Sequence, residues 1–138
     1  MNAQITDGGF EGGEGGGAWV EASVNFSSLI CSVSTCEDFG GVYVPNSGTY
    51  YVWFGGISSP ETASVQQSAN IPVGTTASLH MMVKIAATGQ GDASEKMEIS
   101  VDGTILETIT VMTKNFSNCL QTLDIIESYK FPKAFGVG

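Results

Sequence analysis

The sequence predicts an all-β fold, an antiparallel two-sheet sandwich with little or no helix. Three observations favour this class. Apolar and polar residues alternate with a period of two in several short segments, which is the pattern of half-buried strands. Gly, Asn, Asp and Pro separate these segments at regular spacing, as they do in sandwiches and barrels. No segment keeps a helical period for more than about two turns, so helix is expected to be scarce.

The chain has the size of one compact domain. Its 138 residues are 42% hydrophobic and only 14% charged, a composition that argues against intrinsic disorder. We therefore assign residues 19–138 to a single sandwich domain. Residues 1–18 are a Gly-rich lead-in. This segment is either flexible or a loop in which the backbone approaches another group closely.

The strand pattern is clearest in the second half of the chain. Apolar residues alternate with polar ones over residues 77–87, which predicts a strand with one buried face. Residues 97–101 alternate in the same way, and Asp102 and Gly103 then supply a type I′ hairpin turn. The return strand is expected over residues 104–111.

Three other segments carry weaker strand signals. Residues 63–71 alternate, and residues 120–126 add one more candidate strand. Residues 49–54 are apolar on both faces. Such a strand is either central and covered on each side, or one whose outer face is a binding platform.

The cysteines bear on the compartment. Cys31 and Cys36 lie five residues apart, a separation that a disulfide can close into a tight surface loop in an oxidising environment. The alternatives are a metal site or two free thiols, but only Cys119 and His80 remain as soft ligands and neither shows a zinc-finger spacing. We predict the disulfide. Cys119 is then either a buried thiol or one half of an intermolecular bridge.

Charge and motif content exclude several functions. The formal net charge is −9 and the chain has no Arg, which argues against a nucleic acid partner. No run of 18 apolar residues occurs, which excludes a membrane-spanning helix and argues against membrane insertion. The only histidine, His80, lies on a predicted strand beside Ser78 and Met82, and nucleotide-binding fingerprints are absent. We therefore predict that the protein is not an enzyme.

Aromatic side chains supply the remaining binding chemistry, because the apolar face of a sugar ring can lie on an aromatic ring. Side chains alternate between the two faces along residues 50–54, so one set fills the core and the other is able to face outward. The alternative is that both faces are buried between the sheet and loops. The candidate ligand-binding residues are Tyr51, Trp53, Trp19 and Tyr43.

A series of short motifs follows in a recognisable order: ITDGGFEGG, then Trp19, PNSGTYY, IPVG and VDG. In this order the chain resembles the galactose-binding-like jelly rolls, close in kind to accessory domains of secreted Bacteroidetes-type proteins. These are similar in shape to family 4 and 9 carbohydrate-binding modules, and the resemblance covers residues 5–125. It implies a non-catalytic extracellular or cell-surface module, appended to or part of a larger protein, that binds carbohydrate or mediates adhesion.

The same resemblance implies a structural calcium, because the Glu of the opening motif commonly helps to hold that ion in such domains. The corresponding residue is Glu11, with Asp7 nearby, so the resemblance makes the lead-in of residues 1–18 a candidate metal loop. Hard oxygen ligands and a Gly-rich backbone suit calcium. The acidic pair of the family's closing strand is absent here, and the alternative is that both acids are solvated loop residues. A short Cys-loop like that of Cys31 and Cys36 also occupies the same place in the family.

The C-terminus raises a second function. Residues 128–138 contain a Pro and do not show a clear strand pattern. A sandwich without its last strand has an unpaired edge that accepts a strand from another chain. The alternative function is therefore a structural subunit of a surface filament or other assembly, with copies of itself or the rest of a larger chain as partner. The opposing interpretation is that residues 133–138 close the sheet.

Overall fold

The structure is a computed structural model that describes residues 5–36, 44–54, 59–84 and 95–110, and the backbone of two further strands. The described residues are mainly strand, which confirms the all-β class. The strands are β1 Val20–Ser23, β2 Ile30–Ser32, β3 Tyr50–Val52, β4 Ala63–Ser68, β5 Thr76–Val83, β6 Lys96–Val101, β7 Thr104–Thr110, β8 Gln121–Ser128 and β9 Ala134–Val137.

Helix is as scarce as expected. Within the described residues it is confined to one short turn, α1, at Val33–Cys36. Across the same ranges, no helix has the length and apolar character needed to cross a membrane.

The chain divides into two compact units, residues 4–67 and residues 68–137. In the first unit, β1 pairs with β4 and β2 pairs with β3, both antiparallel. In the second unit, β5 pairs with β8, while β6 pairs with β7 and with β9, again antiparallel. The assignment of residues 19–138 to one jelly-roll domain stays a prediction.

Strand β5 shows the predicted alternation. Leu79 and Met81 are half-buried and Val83 is buried, while Ser78 and His80 on the opposite face are exposed. The apolar face therefore packs inward because every second side chain of a strand points the same way. The last part of the predicted strand, from residue 85 onward, lies outside the described residues.

The predicted hairpin between β6 and β7 is confirmed. Asp102 and Gly103 have φ angles of 53° and 78°, and a type I′ turn requires positive φ at both central residues. The other edge of β6 pairs with β9, with Val101 opposite Phe135. The chain's own residues 134–137 therefore lie along β6, as the interpretation that residues 133–138 close the sheet expects.

Glu61 fastens the end of the β1–β4 pair. Its Oε1 accepts hydrogen bonds from the Ser23 hydroxyl at 2.5 Å and from the Val24 amide at 3.1 Å. Its Oε2 accepts hydrogen bonds from the backbone and side-chain amides of Asn25. Burial raises the pKa of Glu61, but these hydrogen bonds together outweigh burial and hold the pKa below its ordinary value.

We expect Glu61 to make the protein sensitive to acid. A carboxyl with a lowered folded-state pKa favours folding above its unfolded pKa of 4.5, and this contribution is lost as the pH falls through the folded value. Glu61→Gln should therefore be less stable than the wild type at pH 7. The difference should shrink in urea denaturation at pH 3. The same difference at both pH values would show that the ionised carboxylate is not its source.

Candidate functional site

The Gly-rich segment folds into successive turns. The Phe10 amide donates to the carbonyl of Asp7 at 3.0 Å, Gly13 to Phe10 at 3.0 Å, and Gly16 to Gly13 at 3.1 Å. A Cβ at Gly16 would lie only 2.1 Å from the carbonyl oxygen of Gly12, so a side chain there is excluded. The segment is therefore a loop of close backbone approach, one of the two forms that its composition predicts.

Trp19 packs against these turns. Its ring centroid lies 5.0 Å from that of Phe10, and the two rings are tilted by 36°. The indole Nε1 donates a hydrogen bond of 2.8 Å to the carbonyl of Asp7. Trp19 is half-buried, and these contacts give it a role in holding the N-terminal turns.

Asp7 and Glu11, the predicted calcium ligands, both accept backbone hydrogen bonds. Oδ2 of Asp7 accepts from the Gly12 amide at 3.0 Å. Oε1 of Glu11 accepts from the amides of Thr49 at 2.9 Å and Tyr50 at 3.2 Å, which fastens the N-terminal turns to the start of β3. In the part of the chain that is described, no three His, Cys or acidic side chains form a group able to hold a metal. Both acids thus act as hydrogen-bond acceptors, and calcium binding stays a prediction.

The calcium prediction has a direct test in thermal unfolding. An ion that binds only the native state stabilises it by mass action. If Glu11 is a calcium ligand, chelation lowers the melting temperature of the wild type, and Glu11→Gln removes this dependence on calcium. Equal melting temperatures of the wild type with calcium and with a chelator would leave backbone hydrogen bonding as the role of Glu11.

Cys31 and Cys36 form the predicted disulfide. Their Cα atoms are 5.9 Å apart and both residues are buried. Cys31 lies in β2 and Cys36 is the last residue of helix α1, so the helix brings Cys36 back towards β2. The Ser32 amide at the start of this turn donates to Oγ1 of Thr35 at 2.9 Å, as in the return bond of a capping box. The local sequence therefore builds the loop that the disulfide closes.

A cavity of about 180 Å³ lies beside this disulfide, within residues 4–67. We call it the disulfide cavity. Its apolar lining includes Phe26, Leu29 and Trp53, together with the two cysteines. A mainly apolar wall with a few polar groups is typical of small-molecule sites. The polar lining comes from Glu14, Ser27, Ser28 and Thr35.

Glu21 holds one wall of the disulfide cavity in place. Its Oε2 accepts hydrogen bonds from the Ser28 hydroxyl at 2.8 Å and from the amides of Leu29 at 2.5 Å and Ile30 at 3.2 Å. Its Oε1 accepts from the Gly15 amide at 3.3 Å. Because Leu29 and Ile30 are almost fully buried, these amides depend on Glu21 for a partner. One carboxylate thus joins the Gly-rich turns, β1 and the cavity wall.

The predicted aromatic residues have different surroundings. Trp53 lines the disulfide cavity. Tyr51 lies opposite Cys31 in the β2–β3 register, and burial raises the pKa of its half-buried phenol. Trp19 packs in the N-terminal turns, and Tyr43 lies outside the described residues. The structure therefore brings Trp53 to the cavity together with Phe26.

Two other places in the described structure were candidates for a site. A wider and more open depression of about 740 Å³ includes Ser32, Pro45 and Tyr50 in its lining. In the second unit, the Ser78 hydroxyl lies 3.1 Å from Nε2 of His80, but both side chains are exposed on a regular strand. The disulfide cavity is more enclosed than this depression, and it combines Trp53 with polar side chains.

Comparison with known proteins found no matching family model, curated protein or solved structure. A fold class by itself does not define a function, because one architecture carries many different sites. The functional argument therefore depends on the disulfide cavity and the chemistry of its lining.

Proposed function

We propose that the protein is a non-catalytic extracellular module of the jelly-roll type that binds carbohydrate in the disulfide cavity. The observation that supports this proposal most is the meeting of aromatic and polar side chains in one cavity. Trp53 and Phe26 offer apolar surface to the C–H face of a sugar ring. Glu14 and Ser27 offer hydrogen-bonding groups to its hydroxyls.

The size of the cavity favours a small ligand group. Pockets for drug-sized molecules occupy about 300–1,000 Å³, and the disulfide cavity is smaller, at about 180 Å³. It therefore suits one sugar residue, such as the end of a glycan chain, better than several consecutive residues. Recognition of a terminal sugar is compatible with adhesion to a cell-surface glycan.

The disulfide supports an extracellular setting. Disulfides persist in oxidising compartments and are rare in the reducing cytosol. The bond between Cys31 and Cys36 also lines the cavity, so the proposed site needs the oxidised form of the protein. The net charge of −9 agrees with a ligand that is not an anionic membrane surface.

A glycan array screened with the labelled protein tests this proposal. We expect retention on a subset of glycans that share a terminal sugar. Ser27→Phe should abolish it, because Ser27 is an exposed residue of the cavity lining and a phenyl ring there fills the cavity. Ser59→Phe is the matched control, since Ser59 is exposed in the same unit and is not part of the lining.

Two results would contradict the proposal. The first is the absence of retention on any glycan by a wild-type protein whose circular dichroism shows it to be folded. The second is equal retention of the Ser27→Phe variant and the wild type, which would place the sugar outside the disulfide cavity.

A further inference from the structure

The glutamates described in the first unit fall into two groups. Glu11, Glu21 and Glu61 each accept hydrogen bonds from backbone amides of other segments. Glu14 accepts none from any residue that the structure describes, and it pairs with no cation there. Its side chain is exposed and contributes to the lining of the disulfide cavity. Glu14 is thus the acid of this group that is left available to a ligand.

The other polar groups of the cavity are already engaged, with one exception. The Ser28 hydroxyl donates to Glu21, and the Thr35 hydroxyl is bonded to the backbone of Ser32. The Ser27 hydroxyl makes no hydrogen bond to any of the described residues. A ligand therefore meets one free carboxylate and one free hydroxyl, and the residues that line the cavity include neither Lys nor His.

This distribution of charge favours a cationic group. A carboxylate attracts an ammonium group and repels another carboxylate, and a charge-assisted hydrogen bond is stronger than a neutral one. The faces of Trp and Phe rings also attract cations through their quadrupoles, and Trp53 and Phe26 line the same cavity. The net charge of −9 acts in the same direction at longer range.

We infer that the disulfide cavity selects sugars with a free amino group, and that Glu14 pairs with the ammonium of the bound hexosamine. This inference rests on the proposed function, because it concerns which sugar the same cavity takes. It predicts an order of affinity in which an amino sugar binds more tightly than its neutral N-acetyl form, and an acidic sugar binds most weakly.

The test uses three related monosaccharides that carry a positive charge, no charge and a negative charge: D-glucosamine, N-acetyl-D-glucosamine and D-glucuronic acid. Each is titrated into the wild type at pH 6.5 and constant ionic strength, and binding is followed by the NMR chemical shift of the Trp53 indole. We expect glucosamine to bind about 1.5-fold to fivefold more tightly than its N-acetyl form, the range expected for an exposed ion pair. Added salt should reduce this preference.

Glu14→Gln isolates the role of the charge. It keeps the size of the side chain and removes no hydrogen bond seen among the described residues, so the variant should fold as the wild type does. We expect it to bind glucosamine and N-acetylglucosamine equally. Glu95→Gln is the control, because it makes the same change at an exposed acid of the second unit and should keep the preference.

The outcomes separate this inference from the proposed function. If the three sugars bind equally to the wild type, or if Glu14→Gln keeps the preference, the inference is overturned while the cavity remains a sugar site. If none of the three binds and the glycan array also shows no retention, the proposed function itself is overturned, and the inference with it.

Discussion

Glu21→Ala should lower the free energy of unfolding by about 3 kcal/mol, the loss expected when a charged acceptor is removed from several buried donors. Four groups donate to this carboxylate, including the amides of Leu29 and Ile30. Both of these residues are at most 1% exposed, so water does not replace the lost acceptor without opening the structure. Urea denaturation at neutral pH measures the change.

Glu14→Ala is the matched control for this prediction. It removes an acid from the same unit, but one that accepts no hydrogen bond among the described residues, so we expect almost no loss of stability. Glu21→Gln should lie between the two, because one amide oxygen keeps part of the acceptor capacity. Equal stability of Glu21→Ala and Glu14→Ala would contradict the role assigned to Glu21.

Replacing both Cys31 and Cys36 by Ser should lower the free energy of unfolding by about 2 kcal/mol, as chain entropy predicts for so short a loop. Both residues are buried and line the disulfide cavity, so the change also disturbs the proposed site. We therefore expect glycan binding to weaken under conditions in which the variant is still folded. Denaturation and glycan retention are measured on the same preparation.

A reducing agent provides the control. Dithiothreitol should bring the wild type to the stability of the double variant and leave the variant unchanged. If the double variant has the same free energy of unfolding as the wild type and binds glycans equally well, the disulfide has no part in shaping the cavity. If dithiothreitol also weakens the variant, the effect comes from another source, and the third cysteine, Cys119, is the first to test.

The strands of the second unit were predictable because their signals are local. In β5 the alternation of apolar and polar residues directly encodes which face is buried. The Asp102-Gly103 turn is equally local, because positive φ at two adjacent positions favours these residue types. The sequence alone does not establish β9, because residues 134–137 are too few to show a period and their pairing with β6 is distant in sequence.

The disulfide cavity could be predicted only in part. Trp53 and the Cys31–Cys36 bond are recognisable from residue type and spacing. Glu14 and Phe26 lie in segments without a period, and their neighbours Gly15 and Asn25 are held by hydrogen bonds to Glu21 and Glu61. The structural role of Glu21 is also not predictable from the sequence. Its carboxylate accepts hydrogen bonds from the Gly-rich turns and from Leu29, and no local sequence pattern relates these segments.

The most direct test of the carbohydrate site is an NMR titration of the wild type with a glycan that the array identifies. The chain has two tryptophans, so each indole N–H gives its own signal. We predict that the Trp53 signal, from the cavity, shifts with glycan concentration while that of Trp19, in the N-terminal turns, stays in place. A binding glycan that moves the Trp19 signal and leaves Trp53 unchanged would contradict the assignment of the disulfide cavity.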